Sequence, residues 1–87
     1  MKIKNGFILR EVAGNYIVIA VGEAAKNFNG VINLNETGAF LWRLLEKGSD
    51  EEGLKNALLA EYDVDEAVAQ ADVKTFITKL TEAGLVK

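Results

Sequence analysis

The spacing of the apolar residues changes at one point of this chain, between residues 30 and 45. Before this point they form short β-branched runs bounded by Gly and Asn, and after it they recur every three to four residues. Asn35 stands at the junction and has the short side-chain oxygen that an N-cap uses to accept a helix N–H. The sequence therefore predicts an α+β fold, with strands first and helices after them.

Three strands are predicted in the first part of the chain. The runs over residues 7–12 and 16–21 flank the turn residues Ala13-Gly14-Asn15, so we expect them to form a hairpin. The second run is apolar at both its odd and its even positions, which predicts a central strand covered on both faces for part of its length. Phe28-Asn29-Gly30 is predicted to be a tight turn, and residues 31–34 a short third strand antiparallel to the second.

Three helices are predicted near residues 35–46, 50–61 and 65–83, each opened by an Asn or Asp that suits an N-cap. The first is apolar over more than half of its circumference, so it should be the central rod of the core. The expected buried side chains come from all three helices: Phe40, Leu41, Leu44, Leu58, Val73, Phe76 and Leu80. A three-stranded antiparallel sheet followed by three helices predicts a winged helix-turn-helix-like arrangement.

The composition excludes several function classes. The chain has no cysteine and no histidine, so it lacks thiolate and imidazole nucleophiles and the usual zinc ligand sets. Its size predicts a single domain over residues 1–87. No nucleophile, base or phosphate loop is evident, so we expect neither an enzyme nor a cofactor. No apolar run is long enough to cross a bilayer and no signal-peptide pattern follows Met1, which predicts a soluble, cytoplasmic protein with no membrane partner.

The distribution of charge bears on a nucleic-acid partner. A winged-helix arrangement leaves open a nucleic-acid-binding or regulatory protein whose third helix enters a major groove. However, residues 35–87 carry eleven acids against six bases, and the net charge of the chain is −3. Contact with phosphates favours the opposite balance, so we do not expect a nucleic-acid partner.

The segment Leu34-Asn35-Glu36-Thr37-Gly38-Ala39 spans the predicted strand-to-helix junction. Further characteristic residues follow it at Leu41-Trp42, Leu44-Leu45, Glu61-Tyr62-Asp63-Val64, Asp72-Val73, Phe76, Leu80 and Gly84-Leu85-Val86. With these residues the sequence resembles the PqqD-like family, the small peptide chaperones also called RiPP recognition elements. The resemblance implies a protein that binds the leader of a ribosomally made precursor peptide. It would present that peptide to a modifying enzyme, commonly one of the radical SAM class.

The resemblance also implies a binding site, in which the leader adds beside the third strand and lies against the third helix. An open strand edge offers N–H and C=O groups to an extended peptide, and alternate side chains enter the neighbouring groove. By position this site comprises Gly30, Val31, Ile32, Asn33 and Leu34 on the strand, and Val68, Asp72, Thr75, Phe76 and Lys79 on the helix.

Three questions about this site stay open at the level of sequence. The rim of the third helix that faces the groove is not fixed by the spacing. Asp72 and Lys79 suit solvated charges as well as leader contacts, and residues 34–39 suit a purely structural role as a capped helix start. An open strand edge is also able to pair with its own copy, so a monomer or a weak homodimer is expected.

Overall fold

The computed structural model describes residues 1–28 and 30–87. Its elements in chain order are β1 (Phe7–Val12), β2 (Asn15–Ala20), a short 3-10 helix (Gly22–Lys26), β3 (Ile32–Leu34), α1 (Glu36–Lys47), α2 (Glu51–Glu61) and α3 (Glu66–Glu82). The strands form one antiparallel sheet in the order β1-β2-β3. The predicted α+β fold, a three-stranded sheet followed by three helices, is confirmed. The turn predicted at Phe28-Asn29-Gly30 includes Asn29, which lies outside the described residues.

A two-residue turn closes the hairpin between β1 and β2. Ala13 and Gly14 have positive φ angles of 53° and 81°, the combination that a type I′ turn requires. Val12 and Asn15 face each other beside this turn. Asn15 is therefore the first residue of β2, whereas the sequence pattern placed it in the turn.

The central strand β2 meets the core with only one of its faces. Val18 is fully buried, and its cross-strand partners Leu9 and Ile32 pack against the same core. Ile17 and Ile19 point to the opposite face because side chains alternate along a strand. They are only half-buried and lie outside the buried cluster. β2 is the central strand as predicted, but the core lies on one side of the sheet, so the predicted cover of the second face is limited to the half-burial of Ile17 and Ile19.

Helix α1 contributes the largest side chain of the core. Trp42 is 0% exposed, and Leu41 and Leu45 on the same stripe are also buried. The indole Nε1 of Trp42 donates a hydrogen bond to a carboxylate oxygen of Glu46 at 3.1 Å, which satisfies its polar atom one helical turn later. The inner stripe of α1 is therefore centred on Leu41 and Leu45.

Phe40 and Leu44 were predicted to be buried and are only half-buried. Both lie on the side of the stripe away from Trp42: round the helix axis, Leu44 is about 60° from Leu41 and Phe40 about 100° from it. The rest of the expected set is buried: Leu41, Leu58, Val73, Phe76 and Leu80. The core also contains apolar residues outside that set: Val18, Ala39, Trp42, Leu45, Leu54, Ala69 and Leu85.

The two ends of the chain pair with each other. Ile3 and Val86 form an antiparallel bridge, and the Lys4 N–H donates to the carbonyl oxygen of Leu85 at 2.8 Å. Leu85 is fully buried, although it lies beyond the last helix that the sequence pattern predicts. A pairing between the termini leaves no local pattern, so periodicity along the chain could not reveal it.

We expect Leu45→Ala to destabilise the protein far more than Leu44→Ala. Truncating a fully buried leucine lowers the free energy of unfolding by roughly 2–5 kcal/mol because a cavity remains, and truncating a half-buried one lowers it less. Urea denaturation of the two variants measures this difference in stability as a difference between their midpoint urea concentrations. The comparison holds when both variants show the same dependence of unfolding free energy on urea. Equal midpoints would show that the inner stripe of α1 has been assigned to the wrong residues.

Candidate functional site

The turn between β1 and β2 determines which residues of β2 bond each neighbouring strand. In a two-residue hairpin the pair beside the turn, Val12 and Asn15, exchanges both backbone hydrogen bonds, and bonding then alternates along the strand. The Val21 N–H donates to the Gly6 carbonyl oxygen at 2.7 Å, which fits this alternation. The odd-numbered residues of β2 therefore bond β1, and the even-numbered residues bond β3.

This alternation leaves Asn33 as the residue of β3 whose backbone faces away from β2. Ile32 and Leu34 lie opposite even-numbered residues of β2, so their N–H and C=O groups are used within the sheet. Asn33 lies opposite Ile17, which bonds β1, and its own backbone groups point to the open edge. The Nζ atom of Lys79 on α3 reaches this edge and donates to the Asn33 carbonyl oxygen at 3.0 Å.

A cleft of about 300 Å³ lies between this edge, the start of α1 and helix α3. Three of its lining residues, Gly38, Leu41 and Phe76, are buried, whereas Asp72, Thr75 and Lys79 are exposed. The cleft therefore has an apolar base and a polar rim. Its full lining is Asn33, Leu34, Asn35, Thr37, Gly38, Leu41, Asp72, Thr75, Phe76 and Lys79.

Helix α3 presents one rim to the cleft, which the sequence spacing had left open. Asp72, Thr75, Phe76 and Lys79 are spaced by three or four residues, so they lie along one side of the helix. Asp72 and Lys79 are two turns apart, or roughly 10 Å along the helix axis. The rim therefore carries opposite charges at its two ends.

Six of the ten predicted site residues line this cleft, and four do not. Gly30 and Val31 precede β3, and Val31 is 53% exposed. Ile32 uses its backbone within the sheet and packs its side chain against the core. Val68 is 46% exposed and lies one turn before Asp72, so it continues the same side of α3 beyond the cleft.

The junction segment lines the cleft as well as starting the helix: besides the predicted Leu34, it contributes Asn35, Thr37 and Gly38, which the predicted site does not include. The Asn35 side-chain oxygen accepts a hydrogen bond from the Gly38 N–H at 2.7 Å and so caps α1. A Cβ atom at Gly38 would lie 3.3 Å from the Cβ atom of Leu34, so a glycine here allows α1 to approach β3 closely. Thr37 and Leu41 complete this wall. The capping motif could have pointed to these cleft residues, because it marks the place where a strand edge and a helix start meet.

Burial raises the pKa of the Tyr62 phenol, and the nearby Glu36 carboxylate raises it further. Tyr62 follows α2, outside the cleft, and its ring packs edge-on against Phe40 with 5.5 Å between centroids. Among the described residues, no group of three or more acidic side chains is placed to hold a metal ion. None of the helices in that part of the chain is long and apolar enough to cross a membrane.

Comparison with known proteins relates the chain to one family and to two solved structures. Residues 7–86 match the family described as Coenzyme PQQ synthesis protein D (PqqD). The structure described as "TbiB1 in Complex with the TbiA(beta) Leader Peptide" is 24% identical, with a TM-score of 0.77 over 100% of this chain and 95% of that chain. The one described as "Lasso peptide synthetase B1 complexed with the leader peptide" is 19% identical, with a TM-score of 0.75 over 97% and 93%. Among curated protein sequences no match was found.

Replacing Asn35 with Ala should lower stability by about 1 kcal/mol, since an N-cap bond is lost. Asp50→Ala is a matched control, because the Asp50 carboxylate caps α2 through an equivalent 2.7 Å bond from the Gly53 N–H. Melting temperatures should fall by roughly 4–8 °C in both variants. Amide hydrogen exchange should separate them, with faster exchange at the sheet-bonded amides of Ile32 and Leu34 and in the first turn of α1 only in Asn35→Ala. Unchanged exchange at Ile32 and Leu34 would contradict the coupling between the cap and the strand edge.

Proposed function

This chain belongs to the PqqD family, and we propose that it is a non-catalytic adaptor that binds the leader of a ribosomally made precursor peptide. The observation that carries the proposal is the outward-facing backbone of Asn33 beside a cleft walled by α3. An open strand edge next to a groove is the arrangement that strand addition requires. The two structurally similar proteins are each complexed with a leader peptide, which supports the same use of this fold.

The bound leader would be extended, with its N–H and C=O groups paired to those of Asn33. Only this residue of β3 faces the open edge, and each net hydrogen bond contributes about 0.5–1.5 kcal/mol. Burying one apolar side chain contributes roughly 1.5–3 kcal/mol, so the side chains that enter the cleft supply most of the affinity. Leu41 and Phe76 at the base favour apolar residues there. Affinity is therefore expected in the micromolar to nanomolar range.

The sheet has two edges, and the proposal concerns the β3 edge. β1 is also an outer strand, yet none of the residues that line the cleft belongs to it. A peptide on β1 would gain backbone bonds without a groove for its side chains. The proposed leader contacts are therefore the cleft lining, extended by Val31 and Val68 at its two ends and by the neighbouring backbone of Gly30.

Two further steps of the proposal depend on the family. The adaptor would present the leader to a modifying enzyme, such as one of the radical SAM class. Ribosomes make the precursor in the cytoplasm, so we place the adaptor there too, as a monomer or a weak homodimer. The alternative of a nucleic-acid binder is not favoured, since Asp72 and Lys79 give the exposed rim of α3 no net positive charge.

We expect Asn33→Pro to weaken leader binding at least roughly tenfold, because proline removes the backbone donor that faces the open edge. Glu11→Pro is the matched control, since Glu11 lies opposite Tyr16 and its backbone faces the open edge of β1. Each variant is titrated with the precursor peptide encoded beside this gene, and amide chemical shifts are recorded by NMR. Binding should perturb residues 32–38 and 72–79 together in the wild type and in Glu11→Pro.

Loss of binding in Glu11→Pro alone would move the site to the β1 edge. If no neighbouring precursor binds the wild-type protein, the adaptor proposal is wrong. Circular dichroism of both variants checks that the sheet has formed before either result is interpreted.

A further inference from the structure

The ammonium group of Lys79 occupies the backbone acceptor that an added strand would use. Its Nζ atom lies 3.0 Å from the carbonyl oxygen of Asn33, across a sequence separation of 46 residues. Asn33 is the residue of β3 whose backbone faces the open edge, and both residues are exposed. The free protein therefore covers its own strand edge with a side chain from α3.

An incoming peptide N–H that bonds the Asn33 carbonyl competes with the ammonium for the side of this oxygen that faces the open edge. A hydrogen bond from an ionised donor is roughly twice as strong as one between neutral groups. Water can solvate the displaced ammonium at this exposed position, but a peptide that offers Lys79 a new acceptor recovers a direct charge-assisted bond. A carboxylate serves best, because it replaces the lost bond with another charge-assisted one.

We infer that the peptide segment selected by this cleft carries an acidic side chain, which binds the Lys79 ammonium once a peptide N–H has taken the Asn33 carbonyl. The inference rests on the proposed function and adds to it the chemical class of the ligand. In the free protein, Lys79 also hinders pairing of the β3 edge with other chains, because it places a charged group from α3 against that edge.

Asp72 restricts where the acidic side chain is placed. It lines the same cleft two helical turns from Lys79, roughly 10 Å away along the axis, and repels a carboxylate at that end. This distance corresponds to about three residues of an extended chain. An acid therefore fits at the Lys79 end only.

Glu82 offers a rival acceptor for the displaced ammonium. It lies one turn after Lys79, and both residues border a shallow depression on the side of α3 next to the cleft. In the structure, however, Lys79 bonds the strand edge, and an exposed ion pair one turn apart is worth little. If Glu82 took the ammonium in the complex, the peptide would need no acid, so the test must distinguish these two cases.

The test selects random 12-residue peptides displayed on phage against three proteins in parallel: the wild type, Lys79→Met and Lys74→Met. Methionine keeps the unbranched stem of lysine without its charge. Lys74 is exposed on the same helix and does not line the cleft, so Lys74→Met controls for the loss of one charge. Peptides selected by the wild type and by Lys74→Met should carry Asp or Glu at one fixed position. That preference should disappear with Lys79→Met.

A synthetic peptide from the wild-type selection and its Glu→Gln counterpart make the result quantitative. By calorimetry, Glu→Gln should weaken binding to the wild type about three- to tenfold and leave binding to Lys79→Met unchanged. The Gln peptide should bind Lys79→Met more tightly than the wild type, because no ammonium has to be displaced. Melting curves of the variants confirm that each is folded.

The outcomes separate this inference from the proposed function. An acid preference that persists in Lys79→Met, or selected peptides without any acid preference, overturns the inference and leaves the adaptor proposal standing. Failure of all three proteins to enrich any peptide overturns the adaptor proposal itself.

Discussion

The alternation of hydrogen bonds across the sheet is the constraint on which the cleft depends. It starts at the type I′ turn of Ala13 and Gly14, passes through β2, and ends with the backbone of Asn33 directed to the open edge. A slip of one residue would reverse the assignment of every backbone group and side chain along these strands. Asn33 would then bond β2, and Ile32 and Leu34 would lose their contacts with the core. A turn far from the cleft therefore determines which backbone groups the cleft can offer.

The base of the cleft and the core of the protein share side chains. Leu41 and Phe76 line the cleft and also belong to the buried cluster that contains Trp42. A small domain has little stability to lose, so changes at these two residues affect binding and folding together. The rim is different, because Asp72 and Lys79 are exposed and contribute little to packing. Substitutions at the charged rim are therefore the ones that can change binding with the least effect on stability.

Helix starts and strand runs were predictable because their causes are local. Asn35 and Asp50 cap their helices as their side chains suggest, whereas the Asp65 side chain makes no cap bond to α3. The strand boundaries differ from the predicted ones by one residue at most. Errors arose where a neighbour distant in sequence decides the outcome. Half-burial of Leu44 depends on which side of α1 faces the sheet, and burial of Leu85 depends on pairing with the N-terminal residues. Periodicity reports that a face is apolar, but it does not say how much of that face is covered.

For the candidate site, the sequence by itself determined the elements that form it: a short strand, a capped helix start and a helix with mixed charge and apolar character. Their residue types are set by local propensity and capping chemistry, which act over a few positions. Only the tertiary structure decided that Asn33 is the outward-facing residue, that Thr37 and Gly38 share a cleft with Phe76, and that Lys79 reaches back to the strand. These facts depend on sheet register and on helix orientation, since both bring together residues that no spacing along the chain connects.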